Sequence, residues 1–122
     1  MSHGKYKVSP PDERRALGRT FGSKAEMKYA LALEEMVKME VIADYICQPK
    51  VWLGVPEYTY TPDFLVVPNQ ADDKQAYYVD VKGVETQSFK RHKKMWAQHG
   101  RLKLIIVKCS GKESFKQTEV IG

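Results

Sequence analysis

The chain has 122 residues, the length of one domain, and an ordinary hydrophobic share of 43%. Its 20 Lys and Arg against 15 Asp and Glu leave a net charge of +5, a balance that favours polyanionic partners, nucleic acid first. No apolar run approaches the ~20 residues of a membrane span, and no apolar stretch follows the charged N-terminus, which predicts a cytoplasmic protein with no secretory leader and no membrane partner.

Residues 1–22 are rich in Lys, Arg, Gly and Pro and read as a basic N-terminal arm ahead of a single domain over residues 23–122. Lys5, Lys7, Arg14, Arg15 and Arg19 would either lie along a phosphate backbone or form a solvated tail. Ser23 with Glu26 three residues on is a capping-box pattern, predicting a helix over Lys24–Met39. Its apolar stripe is Tyr29, Ala30, Leu33, Met36 and Val37. Glu26 falls one turn before Ala30, on the buried side, so its carboxylate either caps its own helix or points into a site.

Residues Val41–Leu53 read as one or two short strands and Gly54–Val55–Pro56 as a turn. Tyr58–Val67 reads as a strand, bent at Pro62 because proline has no N–H for a ladder. Pro68–Lys74 is a polar loop in which Asp72 and Asp73 are solvated turn residues. Gln75–Gly83 is the next strand, apolar at its centre but for Asp80. Thr86 caps a second helix over Gln87–His99 that Gly100 closes. Phe89 and Trp96, with His92 beside them, form its inner stripe, while Lys90, Arg91, Lys93 and Lys94 load it with positive charge. That charge is either a solvated face or a phosphate-binding one. Leu102–Cys109 is a buried strand, and residues 110–122 are a short final strand or tail. Cys47 and Cys109 lack zinc-ligand spacing and read as reduced thiols. This order predicts an α/β (α+β) domain, a mixed sheet with a helix on each face.

A hairpin joining Phe64–Val67 to Tyr77–Val81 sets Asp63 beside Asp80, and alternation puts Lys82 on the Asp80 face. Two acids and a lysine at a sheet end suit a divalent cation and a water nucleophile. Hydrolysis of a phosphodiester needs the anion neutralised and a water acidified, and Mg2+ or Mn2+ takes carboxylates, waters and substrate phosphate. Asp63 and Asp80 supply the pair, the Val81 carbonyl a further oxygen, and Glu26 either a second metal position or a hold on a bound water. Lys82 fits an orienting, electrostatic role better than that of a base, which nearby cations favour and nearby carboxylates oppose. The bland alternative is an internal Asp80–Lys82 ion pair.

At Ser23-x-x-Glu26, Pro62-Asp63 and Asp80-Val81-Lys82-Gly83, followed by the basic helix with Thr86, Lys90 and Lys94, the sequence resembles the PD-(D/E)XK nuclease superfamily. It looks most like the small phage-encoded endonucleases near the Holliday-junction resolvases. The resemblance implies a restriction-endonuclease-like αβββαβ core and Mg2+- or Mn2+-dependent cleavage of DNA. It gives Glu26, Asp63, Asp80 and Lys82 the active-site roles and brings Lys90 or Lys94 near the scissile bond. Asp80 stands where many relatives carry Glu. A resolvase uses two active sites, which implies a homodimer. The competing expectation is a non-catalytic DNA-binding accessory module that keeps the fold.

Overall fold

A computed structural model describes residues 9–54, 58–83, 86–109 and 114–122. Lys5 and Lys7 of the expected arm, and Val55 and Pro56 of the expected turn, lie outside the described residues.

The first helix, α1, spans Lys24–Lys38, one residue short of its predicted end. Ser23 Oγ accepts the Glu26 N–H at 3.1 Å, which settles one of the orphan donors of the first turn. At the other end Val41 N–H bonds Met36 O and Glu40 N–H bonds Val37 O, a Schellman closure. Its left-handed position is filled by Glu40, at φ 59°, rather than by glycine. Ala30 and Leu33 are buried and Tyr29 and Val37 pack beside them. Met36, expected in the stripe, is exposed, because the helix lays its 30–33–37 line on the sheet and leaves 36 on the flank.

Five strands form the central sheet: β3 (Ile42–Cys47), β6 (Phe64–Pro68), β7 (Tyr77–Val81), β8 (Leu104–Cys109) and β9 (Phe115–Ile121), in the spatial order β3-β6-β7-β8-β9. The first three make an antiparallel meander, β8 runs parallel to β7, and β9 returns antiparallel to β8. The parallel step requires a crossover, and α2 (Gln87–His99) supplies it. Thr86 Oγ1 caps α2 by accepting the Phe89 N–H at 3.1 Å. Gly100 ends it in extended backbone rather than the left-handed form; what excludes a side chain there is the Trp96 indole, which an added Cβ would meet at 2.5 Å. The result is the mixed sheet with two helices that the sequence predicts.

Alternation along β7 divides the core. Val79 and Val81 join Leu33, Phe64 and Val66 on the α1 side. Phe89, Trp96, Leu104 and Ile106 pack on the other side, with Tyr78 against them. Among the described residues Asp80 is the one charged residue that is buried, at 0% exposure.

Two expectations change. The predicted Tyr58–Val67 strand breaks over residues 61–63, where Pro62 is fully buried and cannot donate to a ladder. Its first half, β5 (Thr59–Tyr60), leaves the central sheet and pairs with β4 (Val51–Trp52) in a separate ribbon. The basic arm is folded from residue 9 onward: a 3-10 turn, Pro11–Arg14, precedes a small ribbon of β1 (Arg15–Ala16) and β2 (Arg19–Thr20). Phe21 is buried in the α1-side core, and the Arg14 guanidinium donates to the carbonyls of Ser9 and Phe21. Among the described residues no helix is long and apolar enough to cross a membrane.

Candidate active site

The β6–β7 register pairs Phe64 with Val79 and so sets Asp63 level with Asp80 at the end of the sheet. Each aspartate then ties down the other strand. The Asp63 N–H donates to Asp80 Oδ1 at 2.9 Å, and the Val81 N–H donates to Asp63 Oδ2 at 2.7 Å. The second oxygen of Asp80 accepts from the Tyr60 phenol. Tyr60 arrives on β5, so the break at Pro62 is what frees the chain to swing that phenol over the acid.

Glu26 approaches from the first turn of α1 and hydrogen-bonds Asp63 through its side chain. Gly22 makes this possible: an added Cβ there would meet a Glu26 carboxylate oxygen at 2.9 Å. The N-terminus of α1 also favours negative charge at this position. Three carboxyls thus converge in a place with little water. Burial, then the Asp80 charge, then Glu26, push the Asp63 carboxyl up to about 8, against the pull of the Val81 N–H. Asp80 is raised as well, by burial, although the Lys82 charge and the bonds from Tyr60 and Asp63 oppose this.

Lys82 extends from the end of β7, its N–H held by Val107 O at 2.9 Å. Its ammonium sits 4.4 Å from the centre of the Phe89 ring, rather than closing an ion pair with Asp80. Its charge still acts on Asp80, so the acids have a nearby cation that does not neutralise them. Two further side chains complete the surroundings, and sequence reasoning gave neither a role. Tyr60 lies 4.7 Å from the His92 ring, and His92 Nδ1 is 2.9 Å from the Tyr58 hydroxyl. Burial, together with Arg91 and Lys82, pushes the His92 imidazole below its ordinary value. The signal was present in the Tyr58-Thr59-Tyr60 run, where alternation aims both phenols at one face.

Val81, expected to lend its carbonyl, meets the site through its N–H. Among the described residues no group of three or more His, Cys, Asp or Glu side chains is arranged to hold a metal ion. Both oxygens of Asp80 accept from protein donors, and Glu26 is turned to Asp63.

The expected phosphate-binding residues divide. Lys90, Arg91 and Lys94, with Gln87, line one exposed groove on α2. Lys93 faces the other way and pairs with Glu119 of β9 at 3.0 Å. Near the N-terminus Arg14 is bound to backbone carbonyls, Arg15 donates to Thr20 Oγ1, and Arg19 lies over Phe21. All three make contacts within the local fold, and Arg15 and Arg19 stay exposed.

No curated protein and no solved structure matches the chain. A family described as a protein of unknown function, DUF1064, matches residues 14–114, a span holding Glu26, Asp63, Asp80, Lys82 and all of α2. With most of its length matched, the chain belongs to the DUF1064 family.

Proposed function

We propose that the protein is a divalent-metal-dependent DNA endonuclease. The observation that carries this reading is the cross-braced Asp63–Asp80 pair, joined by Glu26 and flanked by Lys82, in a buried setting where, among the described residues, no cation closes an ion pair with the acids. The order of helix, antiparallel meander, helix and parallel strand supports it, since that is the core implied by the resemblance to PD-(D/E)XK nucleases.

The donor set fits Mg2+ or Mn2+. All three side chains offer hard oxygens, and Asp63, raised first by burial and then by the Asp80 and Glu26 charges, would be eased by a cation. Asp63 and Asp80 would hold the ion, with the Glu26 carboxylate beside Asp63. A bound ion there supplies charge neutralisation at the phosphate and a more acidic water. The chain's own residues do the rest. Asp80 is fixed by the Asp63 N–H and Asp63 by the Val81 N–H. Tyr60 holds Asp80 in one rotamer. Lys82, packed on Phe89, presents its ammonium where charge develops on the phosphoryl oxygens. Lys90, Arg91 and Lys94 form a positive groove on the helix that follows the Asp80–Lys82 strand and would take the backbone of the DNA.

The occupied oxygens of Asp80 favour a second reading, a DNA-binding accessory module without catalysis. Incubating the protein with labelled junction, flap, single-stranded and duplex DNA in Mg2+, Mn2+ or EDTA separates the two. Chelator-sensitive cleavage is the expected result. Binding without cleavage in either metal would leave the accessory module. Cleavage of junctions by a dimer on sizing would place the protein with the resolvases.

A further inference from the structure

The ribbon of β4 and β5 has two dissimilar sides. On one, Val51, Tyr58 and Tyr60 pack into the α2-side core, and Tyr60 reaches Asp80. On the other, alternation turns Trp52 outward, and it is 59% exposed, whereas the protein's other tryptophan, Trp96, is fully buried. A lone two-residue ribbon has little to hold it, yet this one is anchored. Leu53 is fully buried and its N–H bonds Tyr58 O at 2.9 Å, while Tyr58 bonds His92. The exposed indole is therefore carried on a firmly held element. The Lys50 ammonium lies over its ring, 5.9 Å from the centre, a cation on one face of an exposed indole. Trp52 stands opposite Thr59, the residue before Tyr60, so the same short ribbon touches the acids and offers the indole.

We propose that Trp52 is a stacking seat for an unpaired DNA base, with Lys50 on the adjoining phosphate, and that single-stranded or flapped DNA is the substrate class of the site. The inference rests on the nuclease reading for what happens to the strand, but not for its binding. Bases inside a duplex have both faces covered by their neighbours and cannot use such a seat. An unpaired base can, and aromatic stacking of this kind is indifferent to sequence. An exposed indole with a cation beside it matches a base and its phosphate better than it matches an apolar protein surface.

Trp52 is also its own probe, because Trp96 is shielded. In EDTA, titration with oligo(dT) or a flapped duplex should quench and shift the tryptophan emission, and a blunt duplex of equal length should not. Trp52→Ala should weaken binding of oligo(dT) and flap by about tenfold or more, the scale of one base stack, and leave duplex binding unchanged; Trp52→Phe should retain most of the affinity. Unchanged oligo(dT) binding by Trp52→Ala, or equal quenching by blunt duplex, would overturn the seat. If base-dependent quenching occurs and no DNA is cut in Mg2+ or Mn2+, the nuclease reading falls and the seat stands. If flaps are cut and Trp52→Ala cuts them with unchanged kcat and KM, the seat falls and the nuclease stands.

Discussion

Asp63 and Asp80 brace one another across the β6–β7 pair, the Asp63 N–H on Asp80 Oδ1 and the Val81 N–H on Asp63 Oδ2. Where the central ladder ends, carboxylates take over from carbonyls as acceptors. The arrangement holds two acids close together although the Asp80 charge disfavours the ionisation of Asp63.

Asp80→Asn keeps an oxygen for the Asp63 N–H and an amide for Tyr60, and removes the buried charge. Cleavage should fall by about a hundredfold or more, the several kcal/mol that a held metal supplies, while the melting temperature in EDTA at pH 8 stays level or rises. Lys82→Met keeps the packing on Phe89 and should lose a similar factor in kcat, about 10²–10³. Full cleavage by either variant would remove the acids and lysine from the chemistry.

Stability without metal should fall as pH rises. Asp63 titrates near 8 in the folded chain against an ordinary 3.8, so the native state holds its proton more tightly than the unfolded one. Unfolding then becomes easier as pH climbs through that window. The Asp80 and Glu26 charges facing Asp63 raise it further, and Asp80, itself raised by burial, acts in the same direction, with the Lys82 charge and the Tyr60 phenol opposing. His92, also near, acts oppositely, but only below its ordinary 6.5. Thermal melts in EDTA from pH 5 to 8 should show the decline, Asp63→Asn should flatten it, and excess Mg2+ should offset it above pH 7. A melting temperature that climbs steadily to pH 8 would contradict the raised carboxyls.

The α2 groove should be read out by salt. Replacing Lys90, Arg91 or Lys94 with Ala should each lower the slope of log Kd against log salt by about 1 for DNA binding. Lys93→Ala, whose ammonium is committed to Glu119, should change it less. Equal effects at all four positions would mean that the helix acts as a diffuse charge rather than an oriented face.

Two backbone positions test the fold apart from the site. Glu40→Gly relieves a left-handed residue at the end of α1 and should stabilise by about 1 kcal/mol. Gly100→Ala drives a methyl into the Trp96 indole and should cost about 1–3 kcal/mol. Urea titrations of both variants measure these differences.

The helices and the Asp63–Asp80 pairing were legible because each depends on local rules: a capping box, a 3.6-residue stripe, a hairpin register fixed by Phe64 and Val79. What was not legible depends on contacts distant in sequence. Tyr60 joins Asp80 only because buried Pro62 diverts β5 out of the sheet. Arg14 and Arg19 look like a tail's charges until Phe21 is seen in the core, with Arg14 clasping its carbonyl. Lys93 cannot be told from Lys94 until β9 brings Glu119 alongside, and β9 itself, mostly exposed and polar, carries little pattern.

Gly22 has a consequence out of proportion to its size. Any side chain there would crowd the end of a flexible glutamate, which can move aside cheaply. Glu26 would then stand farther from Asp63, whose carboxyl its charge and hydrogen bond help to raise. A single bare α-carbon, with no ionisable group of its own, therefore helps to set how closely the third acid approaches the other two.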